Sequence, residues 1–207
     1  MSGDWFRNAR WNREIAARFH SKLARARRKE QYLRIQAGIL ARTHPEVALE
    51  LLDLYFTLPD DFDHAQGHVD RATALRALGD PAAAAASYEA ALSREEEFPN
   101  LRTQAYLELP FLIATTPLRD QFGRALEVLE EHQERLMFPV DRFRWNVAKA
   151  LIHAARGDAT LAREAARAAL HAAGAEDSGF RYHKAAGLVP EELSSWVARA
   201  TEMAAAP

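Results

Sequence analysis

Two short breaks, Gly79-Asp80-Pro81 and Gly157-Asp158, interrupt alanine-rich stretches and constrain the fold more than anything else in the chain. Before the first break, His68, Ala72, Leu75 and Leu78 recur at helical spacing; after it come Ala84, Tyr88, Ala91 and Leu92. Glycine supplies the left-handed stop, Asp80 caps the next helix, and Pro81 occupies a first-turn position where its missing N–H costs nothing. A helix, a three-residue turn and a second helix make an antiparallel hairpin. The same punctuation separates a helix through Trp145, Ala148 and Leu151 from one through Ala162, Ala166, Ala169 and Leu170. Asp63, with Gln66 three residues on, has the spacing of a capping box opening the first of these helices.

Almost no segment alternates apolar and polar residues in the manner of a strand, and alanine, the strongest helix former, is abundant. The class is all-α. Cysteine is absent, which removes disulfides, thiolate catalysis and thiolate-bound metal and fits a reducing cytoplasm. No run approaches the roughly 20 apolar residues of a membrane span, and no signal peptide is visible at the N-terminus. The net charge of -2 conceals an asymmetry: residues 1–44 carry +8 and residues 45–207 carry -10.

The alanine pattern resembles that of tetratricopeptide repeats. With Gly79 at the family's turn position, Ala72, Leu75, Ala84, Tyr88 and Ala91 fall in order on its small and bulky positions. With Gly157 there, Ala150, Ala162 and Ala169 match, while His153 and Ala166 replace the two bulky residues. Two weaker units centre on Ala48, after Pro45, and on Ala125. The four alanines (Ala48, Ala84, Ala125, Ala162) are spaced by 36, 41 and 37 residues, against a family period of about 34. Each unit therefore carries extra residues, most of them near Thr115-Thr116-Pro117, and Pro110 is expected to kink the helix before it. The resemblance implies a single domain over 1–207, a right-handed α-solenoid of about four antiparallel helix hairpins. Residues 10–27 form a basic amphipathic N-terminal capping helix (Trp11, Ile15, Phe19, Leu23), residues 29–173 the repeats, and 174–207 a loop and a C-terminal capping helix through Trp196 and Val197. The alanine-rich terminus beyond it is expected to fray.

The resemblance also implies a function: a non-enzymatic scaffold or adaptor that holds a protein or peptide on the concave face of the stack. Carried over position by position, the inward residues are Gln66, Val69, Thr73, Arg76 and Ala77 in one unit, and Arg144, Val147, Leu151, Ala154 and Ala155 in the last. Counting one period on from the clear unit adds Asn100, Thr103 and Leu107. Arg76 and Arg144 stand in this groove as carboxylate-clamping guanidiniums, unless Asp70 or Asp141 neutralises them.

Three other constellations compete. His64 and His68 share a helix face beside Asp60, Asp61 and Asp63, but the segment lacks the glutamate of zinc proteases, so the acids are read as favouring a helix start and no metal or cofactor is expected. Arg18, Lys22, Arg25, Arg27, Arg28, Lys29 and Arg34 form a basic segment. It is either a solvated or internally paired face or, as the alternative function, a contact for nucleic acid or an acidic surface through residues 18–34; Phe19 and Tyr32 are read there as apolar stripe rather than stacking platforms. Finally, Phe180, Arg181, Tyr182, His183 and Lys184 make a dense aromatic-basic loop, read as an interaction loop or as a plug for the end of the solenoid. No nucleophile–base set, phosphate-cradling loop or carboxylate pair is recognisable, so the chain is not expected to be an enzyme. A homo-oligomer is left open.

Overall fold

A computed structural model describes residues 4–59 and 63–206. Among them there is no strand; the chain is all-helical, with neighbouring helices packed on one another. It divides into two compact units, Met1–Ala105 and Tyr106–Pro207. No helix among the described residues is long and apolar enough to cross a membrane.

The first unit contains α1 (Arg13–Ala24), α2 (Lys29–Leu40), α3 (Pro45–Phe56), α4 (His64–Ala77) and α5 (Pro81–Glu97). α1 is shorter than the expected span of residues 10–27; it starts at Arg13 because Asn12 caps it, its side chain accepting from the Ile15 N–H at 2.9 Å, and it ends at Ala24. Phe19 and Leu23 from its apolar stripe are buried with Leu33, Leu40, Leu51 and Tyr55, and Trp11 packs against them. Gln36 lies wholly inside, yet its amide is satisfied. Its Oε1 accepts from the Asn8 backbone N–H (2.9 Å) and Nδ2 (2.8 Å), and its Nε2 donates to the Asn8 carbonyl (2.8 Å). That exchange pins the segment before α1 onto α2.

α4 and α5 pack along each other across the turn expected from Gly79-Asp80-Pro81. Gly79 has φ +78, the Asp80 N–H donates to the Leu75 carbonyl at 3.0 Å, and the Asp80 carboxylate accepts from the Ala83 N–H at 2.9 Å. Ala74 packs toward the core of α1, α2 and α3. Ala72, Ala84 and Ala91 are wholly buried, and Tyr88 is buried as well; small residues at these positions admit a close approach of α4 and α5. Gly67 performs the same service toward α3, since a Cβ there would meet Tyr55 Cε1 at 2.7 Å. The start of α4 differs from expectation. Asp63 makes no side-chain cap. Its carboxylate accepts instead from Arg34 Nε at 3.0 Å, and Gln66 donates to Asp70 Oδ1 at 3.0 Å. An arginine on α2 outcompetes a local cap because its charge-assisted bond is the stronger one.

The second unit holds α6 (Ala105–Thr115), α7 (Phe122–Glu131), α8 (Pro139–Arg156), α9 (Ala159–Ala173) and α10 (Ser194–Ala205). Pro110 lies inside α6, the helix that precedes Thr115-Thr116-Pro117. Ala125 is wholly buried on α7, and the Trp145 indole N–H on α8 donates to the Leu129 carbonyl at 2.9 Å. α8 ends at Gly157 with φ +86; Asp158 follows, but its carboxylate sits 3.6 Å from His153 Nδ1 instead of capping α9. Ala150, Ala165 and Ala166 line the α8–α9 contact. α10 follows one 3-10 turn over Glu191–Leu193. Its Trp196 and Val197 pack with Phe111, Phe143 and Val147. Helix continues to Ala205, and Met203 and Ala204 lie on Ala150, Ala165 and Ala166.

Candidate binding cleft

The inward set proposed for α4 is mostly engaged within its own unit. Val69 is buried, and Thr73 Oγ1 donates back to the Val69 carbonyl at 3.0 Å. Gln66 is held on Asp70, and Arg76 Nη1 donates to the Tyr88 hydroxyl at 3.3 Å while remaining exposed. Asp70 is thus taken by Arg34 (3.4 Å) and Gln66 (3.0 Å) rather than by Arg76. Burial raises the Asp70 carboxyl above its ordinary pKa, against the lowering effect of Gln66 and Arg34.

Asn100 and Thr103 do not lie on a helix at all. α6 begins at Ala105, so Asn100 is exposed in the preceding connection and Thr103 is buried in it. The Thr103 N–H and Oγ1 both donate to Glu95 Oε1, at 2.7 and 2.6 Å, and Oγ1 accepts from the Ala105 N–H at 3.1 Å. A count of one period from the previous unit places this segment in helix. The Glu95–Thr103 tether shows why it is a turn: the backbone donors ahead of α6 are satisfied by a side chain of α5.

On α8, Arg144 Nη1 donates to Glu108 at 2.7 Å, and its guanidinium lies over the Phe111 ring, 4.7 Å from the centroid. It ties α8 to α6, and Asp141 is not its partner; the Asp141 carboxylate accepts from the Phe138 N–H at 3.1 Å. Val147 is buried in the core of this unit. Leu151, Ala154 and Ala155, one turn and more further along α8, instead wall a cleft of about 520 Å³. Thr115, Thr116, Pro117, Arg119, Phe122 and Arg199 of α10 line it as well. Volume and mixed lining suit a small ligand or a few residues of peptide. The hydroxyls of Thr115 and Thr116 donate to the Phe111 and Leu112 carbonyls of their own helix, at 2.6 and 2.8 Å. Arg199 pairs with Glu202 at 2.9 Å, whereas Arg119 is exposed and has no carboxylate partner among the described residues. Sequence reasoning missed Arg119, Phe122 and Arg199. The excess of residues around Thr115-Thr116-Pro117 was the only signal pointing there.

The loop Phe180–Lys184 is exposed throughout but ordered by its own hydrogen bonds. The Ser178 N–H donates to the Lys184 carbonyl at 2.7 Å and Ser178 Oγ to the His183 carbonyl at 2.8 Å. Phe180 stacks on Phe138 (5.3 Å), Arg181 lies near the Tyr182 ring (5.3 Å) and Lys184 pairs with Asp177 (3.5 Å). Tyr182 is 80% exposed, so this ring plugs nothing.

His64 and His68 are held by aromatic rings. His68 stacks on Phe56 at 4.6 Å, and His64 meets Tyr55 and Phe56 edge-on. Asp60 and Asp61 lie outside the described residues; among those described, no three His, Asp or Glu side chains converge as metal ligands. Burial, then His64, Arg71 and Arg94, lower the His68 pKa to about 4. The folded state therefore keeps this imidazole neutral where the unfolded chain protonates it, so stability falls as the pH drops from about 6.5 toward about 4. Relief of the raised Asp70 carboxyl acts with the opposite sign as the pH falls through the carboxylate range. His68→Gln is expected to flatten the decline in melting temperature between pH 6.5 and 4; an unchanged slope would show that other groups set it.

No protein-family model, no curated protein and no solved structure matches the chain.

Proposed function

We propose that the protein is a non-enzymatic scaffold that holds a peptide segment of a protein partner, built as a tetratricopeptide-like right-handed stack of antiparallel helix hairpins. Pairwise packing of α2 with α3, α4 with α5 and α8 with α9 supports that architecture, as do the matched glycine turns and buried alanines. α6 and α7 form its irregular member, and a reducing, cytoplasmic setting belongs to the same reading.

The observation that carries the function is the cleft beside α8. Leu151, Ala154 and Ala155 are three of the five positions on this helix that the family resemblance turns inward, and they wall a cavity whose charged groups, Arg119 and Arg199, are both cations. Apolar walls with guanidiniums beside them favour an apolar side chain next to a carboxylate. No carboxylate, imidazole or thiol lines the space, which supports holding a ligand over transforming one.

Selection of a random peptide-display library on the full chain is expected to enrich sequences with an acidic residue beside an apolar one. Ala155→Arg fills the cleft from an exposed position and is expected to weaken the enriched peptides at least tenfold, with helicity and melting temperature unchanged. Arg119→Ala is expected to erase the preference for the acidic residue. Peptides that bind Ala155→Arg as tightly as the original chain would overturn the reading.

A further inference from the structure

In the first unit, Arg34 of the basic segment is paired with Asp63 and Asp70, but the six cations before it are not neutralised. Arg18, Lys22, Arg25, Arg27, Arg28 and Lys29 are all exposed. Glu14 and Glu30, the acids of α1 and α2, pair with none of them, and no other carboxylate does among the described residues. Arg18, Lys22 and Arg25 are four and three residues apart, which lines them along one face over about 10 Å. Arg27 and Arg28 follow in the connection, and Lys29 opens α2. Six like charges left without counter-charges repel one another, and a polyanion relieves that repulsion.

Beside the stripe is an open pocket of about 320 Å³, lined by Trp5, Lys22, Arg25, Ala26 and Tyr32. Its aromatic wall is built. Trp5 packs against Tyr32 (4.8 Å), Phe19 (5.4 Å) and Phe6 (5.5 Å), and its carbonyl accepts from Asn8 Nδ2 at 2.7 Å. Asn8 is in turn locked to the buried Gln36. Lys22 Nζ stands 5.9 Å from the Trp5 ring centroid. Tyr32, which the sequence pattern assigns to the apolar stripe, is only half-buried and shares the pocket wall with Trp5.

We propose that the Trp5–Tyr32 wall and the Arg18–Lys29 stripe together bind single-stranded nucleic acid, one unstacked base lying against the rings and successive phosphates following the cations. Rings flanked by guanidinium and ammonium groups are how sequence-tolerant single-strand sites are made, since every base offers a π face and every linkage a charge. An anionic membrane matches the charge but not the shape. A surface-lying amphipathic helix must offer its apolar face to lipid, and that face of α1 is already spent: Phe19 and Leu23 are 1% and 8% exposed in the core. The site is independent of the cleft beside α8, so either proposal can fail alone.

The test is fluorescence anisotropy of the full chain with short labelled oligo(dT) and oligo(rU), with a labelled duplex and anionic phospholipid vesicles as competitors. Single strands are expected to bind more tightly than duplex. Their affinity should fall with salt at a log–log slope approaching about -4 if all six cations meet phosphates, at about -0.7 for each. Lys22→Gln with Arg25→Gln, both exposed, is expected to make that slope shallower by about 1.4. Trp5→Leu is expected to cost about tenfold in affinity without changing the slope, and Trp5→Phe to retain binding. Should Trp5→Leu lose helicity, the glutamine pair decides alone. No binding at about 50 mM salt, duplex bound as tightly as single strand, vesicles bound in place of oligonucleotide, or an unchanged slope in the glutamine pair would each overturn the proposal.

Discussion

Tyr88→Ala is expected to cost about 3–5 kcal/mol of stability, as removal of a buried aromatic ring usually does, whereas Tyr88→Phe is expected to cost about 1 kcal/mol or less. The ring is 1% exposed on α5, the helix paired with α4. Its hydroxyl, by contrast, accepts from Arg76 Nη1 at 3.3 Å, which is a long bond. Urea denaturation of the two variants separates these contributions. A Tyr88→Ala chain within about 1 kcal/mol of the original would mean that the α4–α5 contact collapses around the gap, and that the aromatic position does not fix the spacing of the pair.

Glu95→Ala is expected to cost about 2–4 kcal/mol, out of proportion to the loss of one surface-type residue. Glu95 is buried and accepts from both donors of Thr103, which in turn accepts from the first N–H of α6. Removing the carboxylate takes the shared acceptor from two buried donors at once. Glu95→Gln retains an acceptor oxygen and is expected to lose about half as much. Amide exchange should localise the damage: protection at Thr103 and Ala105 falls while that of α4 holds. Uniform loss of protection, or no loss, would rule out the tether as the element that fixes this connection.

The parts of the fold legible in the sequence are those specified locally. Gly79 and Gly157 have the left-handed φ that a helix-to-helix turn demands, Asp80 caps α5, and the small residues fall where the helices touch. Elements fixed by distant partners were not legible. Asp63 has the spacing of a cap, but Arg34, twenty-nine residues away, binds it instead. Thr103 falls on a helical count, but a carboxylate eight residues back holds it in a turn. Arg144 was expected in a groove and is bound to Glu108. A periodicity argument assigns a side chain to a face; it carries no information about which charged group from another helix also reaches that face. The cleft shows the same limit. Leu151, Ala154 and Ala155 follow from helical spacing, while Arg119 and Arg199 arrive from irregular and terminal elements that no repeat template numbers.

The two glycine turns have a consequence for how such a chain can diverge. A Cβ built at Gly79 or Gly157 meets nothing within 4 Å, so backbone handedness, not lack of space, restricts which residue sits there. The joint between paired helices is therefore written in one residue's chirality. At the first joint Asp80 both closes the turn onto Leu75 and caps α5, so extra chain is accommodated between the helix pairs and not at the joint. The uneven lengths of the units arise there, around Thr115-Thr116-Pro117, where the added chain also lines the cleft.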